Sequence, residues 1–195
     1  MSIGVLGGTF DPPHLGHLVL GECARVQLGL ERVYFMPAGD PWRKAGSGVT
    51  SASHRLAMTH LAIADNPGFH LDEREVERIG PTYTVDTLRE LHAQGMDDVV
   101  LILGSDALAD MPAWREPDVI TALARLAVAP KGADAGEQAW LAAQLGLNAP
   151  PSVVEMPPLP VSSTLVRERV REGMSIRYLV TATVEEYIEL HGLYR

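Results

Sequence analysis

Cysteine is almost missing from the chain: Cys23 stands alone among 195 residues. A single thiol excludes an internal disulfide and any zinc cage built on cysteines, which fits a reducing cytosol. Basic blocks are missing too. Lys and Arg together number 16 against 25 Asp and Glu, a formal net charge of −9. A general nucleic-acid coat binds by counterion release from a basic surface, so that class is excluded. A small anionic ligand would need a local positive site inside this negative field. No apolar run approaches the roughly eighteen residues of a membrane span. The opening MSIGVLGGTFDPPHLGH lacks the charged and apolar regions of a signal peptide. The expectation is a cytoplasmic protein engaging neither nucleic acid nor membrane, with a homo-oligomer left open.

What is present is an ordinary globular balance, 46% hydrophobic and 21% charged, enough to bury a core. Short apolar runs alternate with longer amphipathic stretches, the pattern of βα units around a mostly parallel sheet. Strands are predicted at residues 3–7, 32–37, 69–72, 99–103, 126–129 and 152–155. Apolar residues three and four apart predict helices at 14–28, 53–64, 84–93, 135–145, 162–171 and 184–190. Ser53 and Ser162-Ser163 offer helix starts. The expected architecture is α/β, a Rossmann-like doubly wound sheet with a small C-terminal helical part. One domain is expected over 1–195, with 1–160 as the α/β core and 161–195 completing a phosphate site.

The first motif is Gly7-Gly8-Thr9-Phe10-Asp11-Pro12-Pro13-His14-Leu15-Gly16-His17. It follows the first strand and opens the first helix, where open α/β sheets bind ligands. Gly7-Gly8 permits close backbone approach, and a helix start offers N–H groups and a partial positive end suited to phosphate. His14 and His17, three residues apart, project to one side, where two imidazoles can donate to anionic oxygens. Gly16 between them leaves room. No Gly-Lys-Ser/Thr follows, so this is no Walker loop, and the third glycine of a dinucleotide fingerprint is missing. The spacing resembles the nucleotidylyltransferase superfamily, whose members carry His-x-Gly-His and transfer a nucleotidyl group from a nucleoside triphosphate. Within it, the motif is similar to the bacterial nicotinate-nucleotide adenylyltransferase family.

The second motif, Val161-Ser162-Ser163-Thr164-Leu165-Val166-Arg167, sets hydroxyls at a helix start and an arginine one turn later. Read alone it is also an ordinary N-cap with a solvated face of Arg167, Glu168, Arg171 and Glu172. Ser-Ser-Thr-x-x-Arg nonetheless resembles the second signature of the same family. Gly104-Ser105-Asp106 after the strongest strand resembles the family's Gly-x-Asp beside adenosine. Residues 81–88 and 108–114 resemble the elements framing the pyridine ring, and the ending Tyr187-Ile188 through Gly192-Leu193-Tyr194 is similar as well. In the loop 39–50 the family often has Pro-x-His-Lys, whereas this chain has Pro41-Trp42-Arg43-Lys44.

The resemblance implies adenylyl transfer from ATP to nicotinate mononucleotide, giving nicotinate adenine dinucleotide and pyrophosphate. It implies His14, His17 and Arg167 as catalytic residues. Gly7, Gly8, Thr9, Phe10, Gly104, Asp106, Ser162, Ser163 and Thr164 would bind ATP. Arg43, Lys44, Thr84, Val85, Trp114 and Arg115 would bind nicotinate mononucleotide. Magnesium is expected as the cofactor, held mainly by phosphates and waters, with Asp11 and Asp106 helping indirectly and no protein metal cage. His54, His60, His70, His92 and His191 lack ligand spacing and read as solvated or core histidines. Phosphopantetheine or nicotinamide mononucleotide as acceptor, cytidylyl transfer, and a non-catalytic nucleotide-binding regulatory domain are the rival readings.

Overall fold

The computed structural model describes residues 1–41, 48–129, 143 and 150–195. Continuous burial along Ile3 to Leu6 in β1 (Ile3–Gly8) marks a central strand. Strands covered on both faces carry apolar runs rather than alternation. The same continuous burial runs through β4 (Val99–Gly104) and most of β5 (Arg125–Ala129). With β2 (Arg32–Pro37), β3 (Phe69–Leu71) and β6 (Ser152–Val153) they form one six-stranded sheet in the order β3-β2-β1-β4-β5-β6. The pairs β1–β4, β4–β5 and β5–β6 are parallel. The strand order reverses at β1 and β4, the switch point of a doubly wound sheet. The Rossmann-like architecture expected from the alternating pattern is therefore the one adopted.

The periodic helices form within a few residues of expectation as α1 (Leu15–Gln27), α2 (Ala52–Ile63), α4 (Thr84–Ala93), α7 (Ser163–Arg171) and α8 (Ala182–His191). The cap of α2 is Ser51 rather than Ser53, its hydroxyl accepting from the His54 N–H at 3.4 Å. Three shorter helices were not expected: α3 (Arg74–Glu77), α5 (Ser105–Asp110) and α6 (Pro117–Leu123). Spans of 4 to 7 residues end before an apolar period of 3.6 can repeat. The helix expected at 135–145 lies outside the described residues apart from Ala143.

The chain falls into two compact units. The first comprises Met1–Gly7, Leu20–Tyr34 and Tyr83–Pro158. Within it, a Cβ on Gly4 would stand 2.8 Å from Ile102 Cδ1 and 2.9 Å from Leu30 Cδ1, so β1 packs where no side chain fits. Cys23, half-buried on α1, carries a free thiol, which burial and the Glu22 carboxylate hold above the usual thiol range.

The second unit comprises Gly8–Val19, Phe35–Thr82 and Leu159–Arg195. Phe35 packs between Phe10 and Phe69, with ring centroids 5.9 and 4.8 Å away. Gly39 lies so close to α3 that a Cβ would fall 2.1 Å from the Glu75 carbonyl oxygen. This unit also encloses a buried cation, Arg55.

Candidate active site

The turn after β1 brings the first motif into the second unit. Phe10 takes a left-handed conformation, φ 48°, and its buried ring meets the His17 ring edge-on at 4.9 Å. Phe10 thus backs His17 rather than presenting its ring to a ligand. The His14 and His17 rings stack at 3.7 Å with a 27° tilt, so the spacing of three puts both on one side as expected. The His14 backbone N–H donates to His17 Nδ1 at 3.2 Å. In neutral His17 the proton then sits on Nε2, which makes that nitrogen a donor. Gly16 makes room for the neighbouring imidazole: its Cβ would stand 3.1 Å from the His14 ring and 3.2 Å from Val161. One helix-start donor is already engaged, since the Leu15 N–H bonds the Leu179 carbonyl at 2.9 Å.

Asp11 is the junction between the two motifs. It is 5% exposed. Its Oδ1 accepts from the Tyr194 hydroxyl at 2.7 Å, and its Oδ2 accepts from the Thr50 N–H at 3.2 Å. Its carbonyl accepts from Arg167 Nη1 at 2.7 Å. Both carboxylate oxygens of Asp11 are thus engaged by the protein.

Ser162 caps α7, accepting from the Leu165 N–H at 3.1 Å. Ser163 donates to the Pro12 carbonyl at 2.8 Å. Arg167 Nη2 reaches the Thr164 hydroxyl at 3.4 Å. The second motif is thereby bonded to Asp11 and Pro12 of the first, and Arg167 turns to Asp11 and Thr164.

Sequence reasoning missed two residues here. Arg55, 1% exposed, donates to the carbonyls of Thr9 (2.8 Å), Gly39 (2.8 Å) and Thr50 (2.9 Å). Burial lowers its affinity for the proton, and the nearby Asp11 charge opposes that shift. In the sequence Tyr194 stands out only as part of the ending Gly192-Leu193-Tyr194. Burial, the Asp11 hydrogen bond and the Asp11 charge hold its phenol far above the usual range, so it remains a donor. An arginine in the pattern of α2 gives no signal when all its partners are backbone carbonyls.

The first unit carries the other expected residues. Gly7 is the penultimate residue of β1, Gly104 ends the neighbouring β4, and Asp106 is exposed in the first turn of α5. Thr84 and Val85 open α4, where the first N–H groups of a helix lack intrahelical acceptors. Arg115 lies over the Tyr83 ring at 4.8 Å and within 3.6 Å of Asp86 and Glu116. Arg89 pairs with Glu116 at 2.7 Å, holding that carboxyl below the usual range. Trp114 is half-buried just beyond a 3₁₀ turn, Met111–Ala113, neither core nor open surface. Arg43, Lys44 and Trp42 lie outside the described residues.

Among the described residues no group of three or more His, Cys, Asp or Glu could hold a metal ion. His54 bonds the Tyr187 hydroxyl at 2.9 Å and His92 bonds the Leu123 carbonyl at 2.7 Å, which fits their structural reading. No helix among the described residues is long and apolar enough to cross a membrane.

Known proteins resemble this chain over nearly its full length. The cytidylyltransferase-like family model matches residues 5–169. A relative from Roseiflexus sp. (strain RS-1), named "Probable nicotinate-nucleotide adenylyltransferase", is 48% identical over 99% of this chain and 98% of its own. A relative of the same name from Thermomicrobium roseum is 43% identical over 99% of this chain and 91% of its own. The chain belongs to the nicotinate-nucleotide adenylyltransferase family. Members of this family are nucleotidyltransferases, and the fold is shared with distant solved structures. A Plasmodium falciparum nicotinic acid mononucleotide adenylyltransferase complexed with NaAD superposes with a TM-score of 0.78, at 19% identity, covering 99% of this chain and 97% of that one. The same enzyme complexed with APC gives 0.79 at 18% identity, covering 99% and 96%.

Proposed function

We propose that this chain transfers the adenylyl group of ATP to nicotinate mononucleotide, releasing pyrophosphate, by direct in-line attack. The observation that carries the reading is the bonding of the Ser-Ser-Thr-x-x-Arg motif to the His-x-Gly-His motif through Ser163–Pro12 and Arg167–Asp11. It gathers imidazole, hydroxyl and guanidinium donors without any nucleophile–base pair. Such a set suits a reaction whose attacking phosphate is already anionic at neutral pH. Catalysis then comes from alignment and from stabilising charge on the transferring and leaving phosphoryl groups.

In this reading His17 donates from Nε2 to the transferring phosphoryl oxygens, with His14 stacked beside it. Arg167, held by the Asp11 carbonyl, directs its remaining N–H groups to the polyphosphate. Gly7, Gly8 and Thr9 give it backbone contacts, Thr164 adds a hydroxyl, and Ser162 and Ser163 hold the α7 start in place. Residues 161–195 thereby complete the phosphate site. Gly104 and Asp106 meet the adenosine. The donor set, rich in cationic and neutral groups with its one buried carboxylate engaged, fits magnesium arriving on the triphosphate, held by phosphate oxygens and waters. When bound, that ion neutralises charge on the triphosphate and the departing pyrophosphate.

For the acceptor, Trp114 stacks on the pyridine ring. The N–H groups of Thr84 and Val85, with that of Arg115, receive the nicotinate carboxylate, while the Trp114 N–H stays on the Met111 carbonyl at 2.9 Å. A carboxylate accepts several such bonds at a helix start, whereas an amide NH₂ would oppose a donor. Arg43 and Lys44 supply positive charge for the acceptor phosphate.

The test is pyrophosphate release with ATP and Mg²⁺, comparing nicotinate mononucleotide, nicotinamide mononucleotide and phosphopantetheine. A strong preference for nicotinate mononucleotide is expected. Preference for another acceptor would keep the phosphate site and overturn the pyridine pocket. ATP binding without release from any acceptor would identify a regulatory nucleotide-binding domain.

A further inference from the structure

We infer that Tyr194 is a positioning residue of the phosphate site: its hydroxyl fixes the Asp11 carboxylate and, through Asp11, the Arg167 guanidinium. The inference rests on the reading of Arg167 as a polyphosphate ligand. Three hydrogen bonds converge on Asp11 from distant parts of the chain. Tyr194 reaches Oδ1 at 2.7 Å, Thr50 reaches Oδ2 at 3.2 Å and Arg167 reaches the carbonyl at 2.7 Å. The residue is buried, so water cannot readily replace a lost donor, and an unsatisfied buried carboxylate oxygen forces its surroundings to move.

The neighbouring framework limits where Asp11 can go. Arg55 holds the Thr9 carbonyl, two residues before Asp11, at 2.8 Å and the Thr50 carbonyl at 2.9 Å. The Thr50 side is therefore fixed twice, by its own N–H to Asp11 and by its carbonyl to Arg55. On the other side Tyr194 holds the carboxylate, and its OH also lies 3.9 Å from Met58 Sδ. Removing that one hydroxyl leaves the carboxylate with the Thr50 N–H as its donor, free to turn toward Thr50. Where the backbone of Asp11 shifts to follow its carboxylate, the Asp11 carbonyl shifts too. Arg167 has that carbonyl as its strongest contact, so its donors lose their aim although no ligand-facing atom has been deleted.

The experiment is a double-mutant cycle on Mg–ATP affinity by calorimetry, with Tyr194→Phe made in the wild type and in Arg167→Ala, and melting temperatures recorded for all four proteins. Tyr194→Phe is expected to weaken Mg–ATP binding by about five-fold or more in the wild type, and by less than about two-fold when Arg167 is absent. Equal weakening in both backgrounds, or unchanged affinity with or without a lower melting temperature, would overturn the inference, because a merely structural hydroxyl gives an additive cycle. Affinity for Mg–ATP does not depend on the acceptor. Lack of turnover with nicotinate mononucleotide would therefore defeat the acceptor reading while the cycle still decides the role of Tyr194, and a wild type that does not bind Mg–ATP would defeat both.

Discussion

At His17 a backbone N–H decides which ring nitrogen carries the proton, since Nδ1 is the acceptor of the bond from His14. The side chain is also held by the Phe10 edge and the His14 face, so its donor is oriented before substrate arrives. Loss of a comparable preoriented transition-state donor costs about 10²–10³ in rate, roughly 2.7–4 kcal/mol. His17→Ala is expected to lose that much turnover while far-UV circular dichroism stays native; near-normal kcat would defeat the assignment. Gly39 poses the opposite case, a residue with no ligand role and no tolerance. A Cβ 2.1 Å from the Glu75 carbonyl oxygen requires backbone movement, so Gly39→Ala is expected to destabilise by about 1–3 kcal/mol. In a chain of this size that is a melting-temperature drop of roughly 2–12 °C, and an unchanged melting temperature would refute the close approach.

Among the elements, α7 shows how adjacent hydroxyls divide their work. Ser162 caps the helix through the Leu165 N–H, whereas Ser163 joins it to Pro12. Ser162→Ala should cost about 1 kcal/mol of stability and leave the pyrophosphate-release rate nearly unchanged. Ser163→Ala should lower that rate, because it cuts a tie to the first motif; equal effects of the two on rate would contradict this division. The start of α7 and the His14–His17 spacing were legible because capping and helical pitch are written in nearby residues. β1, β4 and β5 were legible because burial on both faces leaves unbroken apolar runs. α5 and α6 were not, since neither is long enough to show a period, and α6 starts after Glu116 in a left-handed conformation, φ 51°, that no local pattern announces. Arg55 and Tyr194 were illegible as site residues for another reason. Their partners include the Thr9 carbonyl, 46 positions from Arg55, and the Asp11 carboxylate, 183 positions from Tyr194, and such pairings arise only once the chain has folded.

For the whole molecule, the excess of acids over bases makes the acidic flank of the stability profile informative. The Asp98 carboxyl is held below its usual range by the Ser2 hydroxyl and Arg125, and Glu116 by Arg89. Carboxyls lowered in the folded state add stability above their unfolded values near 4, and that contribution is lost as pH falls through the lower folded values. Melting temperature should therefore hold between about pH 7 and pH 5 and decline below, and a variant carrying both Arg89→Ala and Arg125→Ala should decline less steeply over the acidic range. An acid limb of identical slope in the two proteins would assign the loss to other groups. These pairs are exposed, so each contributes little by itself. Cys23 has a practical consequence of its own. Its thiol, half-buried and held in the protonated form, should react slowly with maleimides at neutral pH. A cysteine introduced on the exposed face of α7 would then accept a fluorophore almost alone, giving a site-specific optical reporter in the native background without first removing the natural thiol.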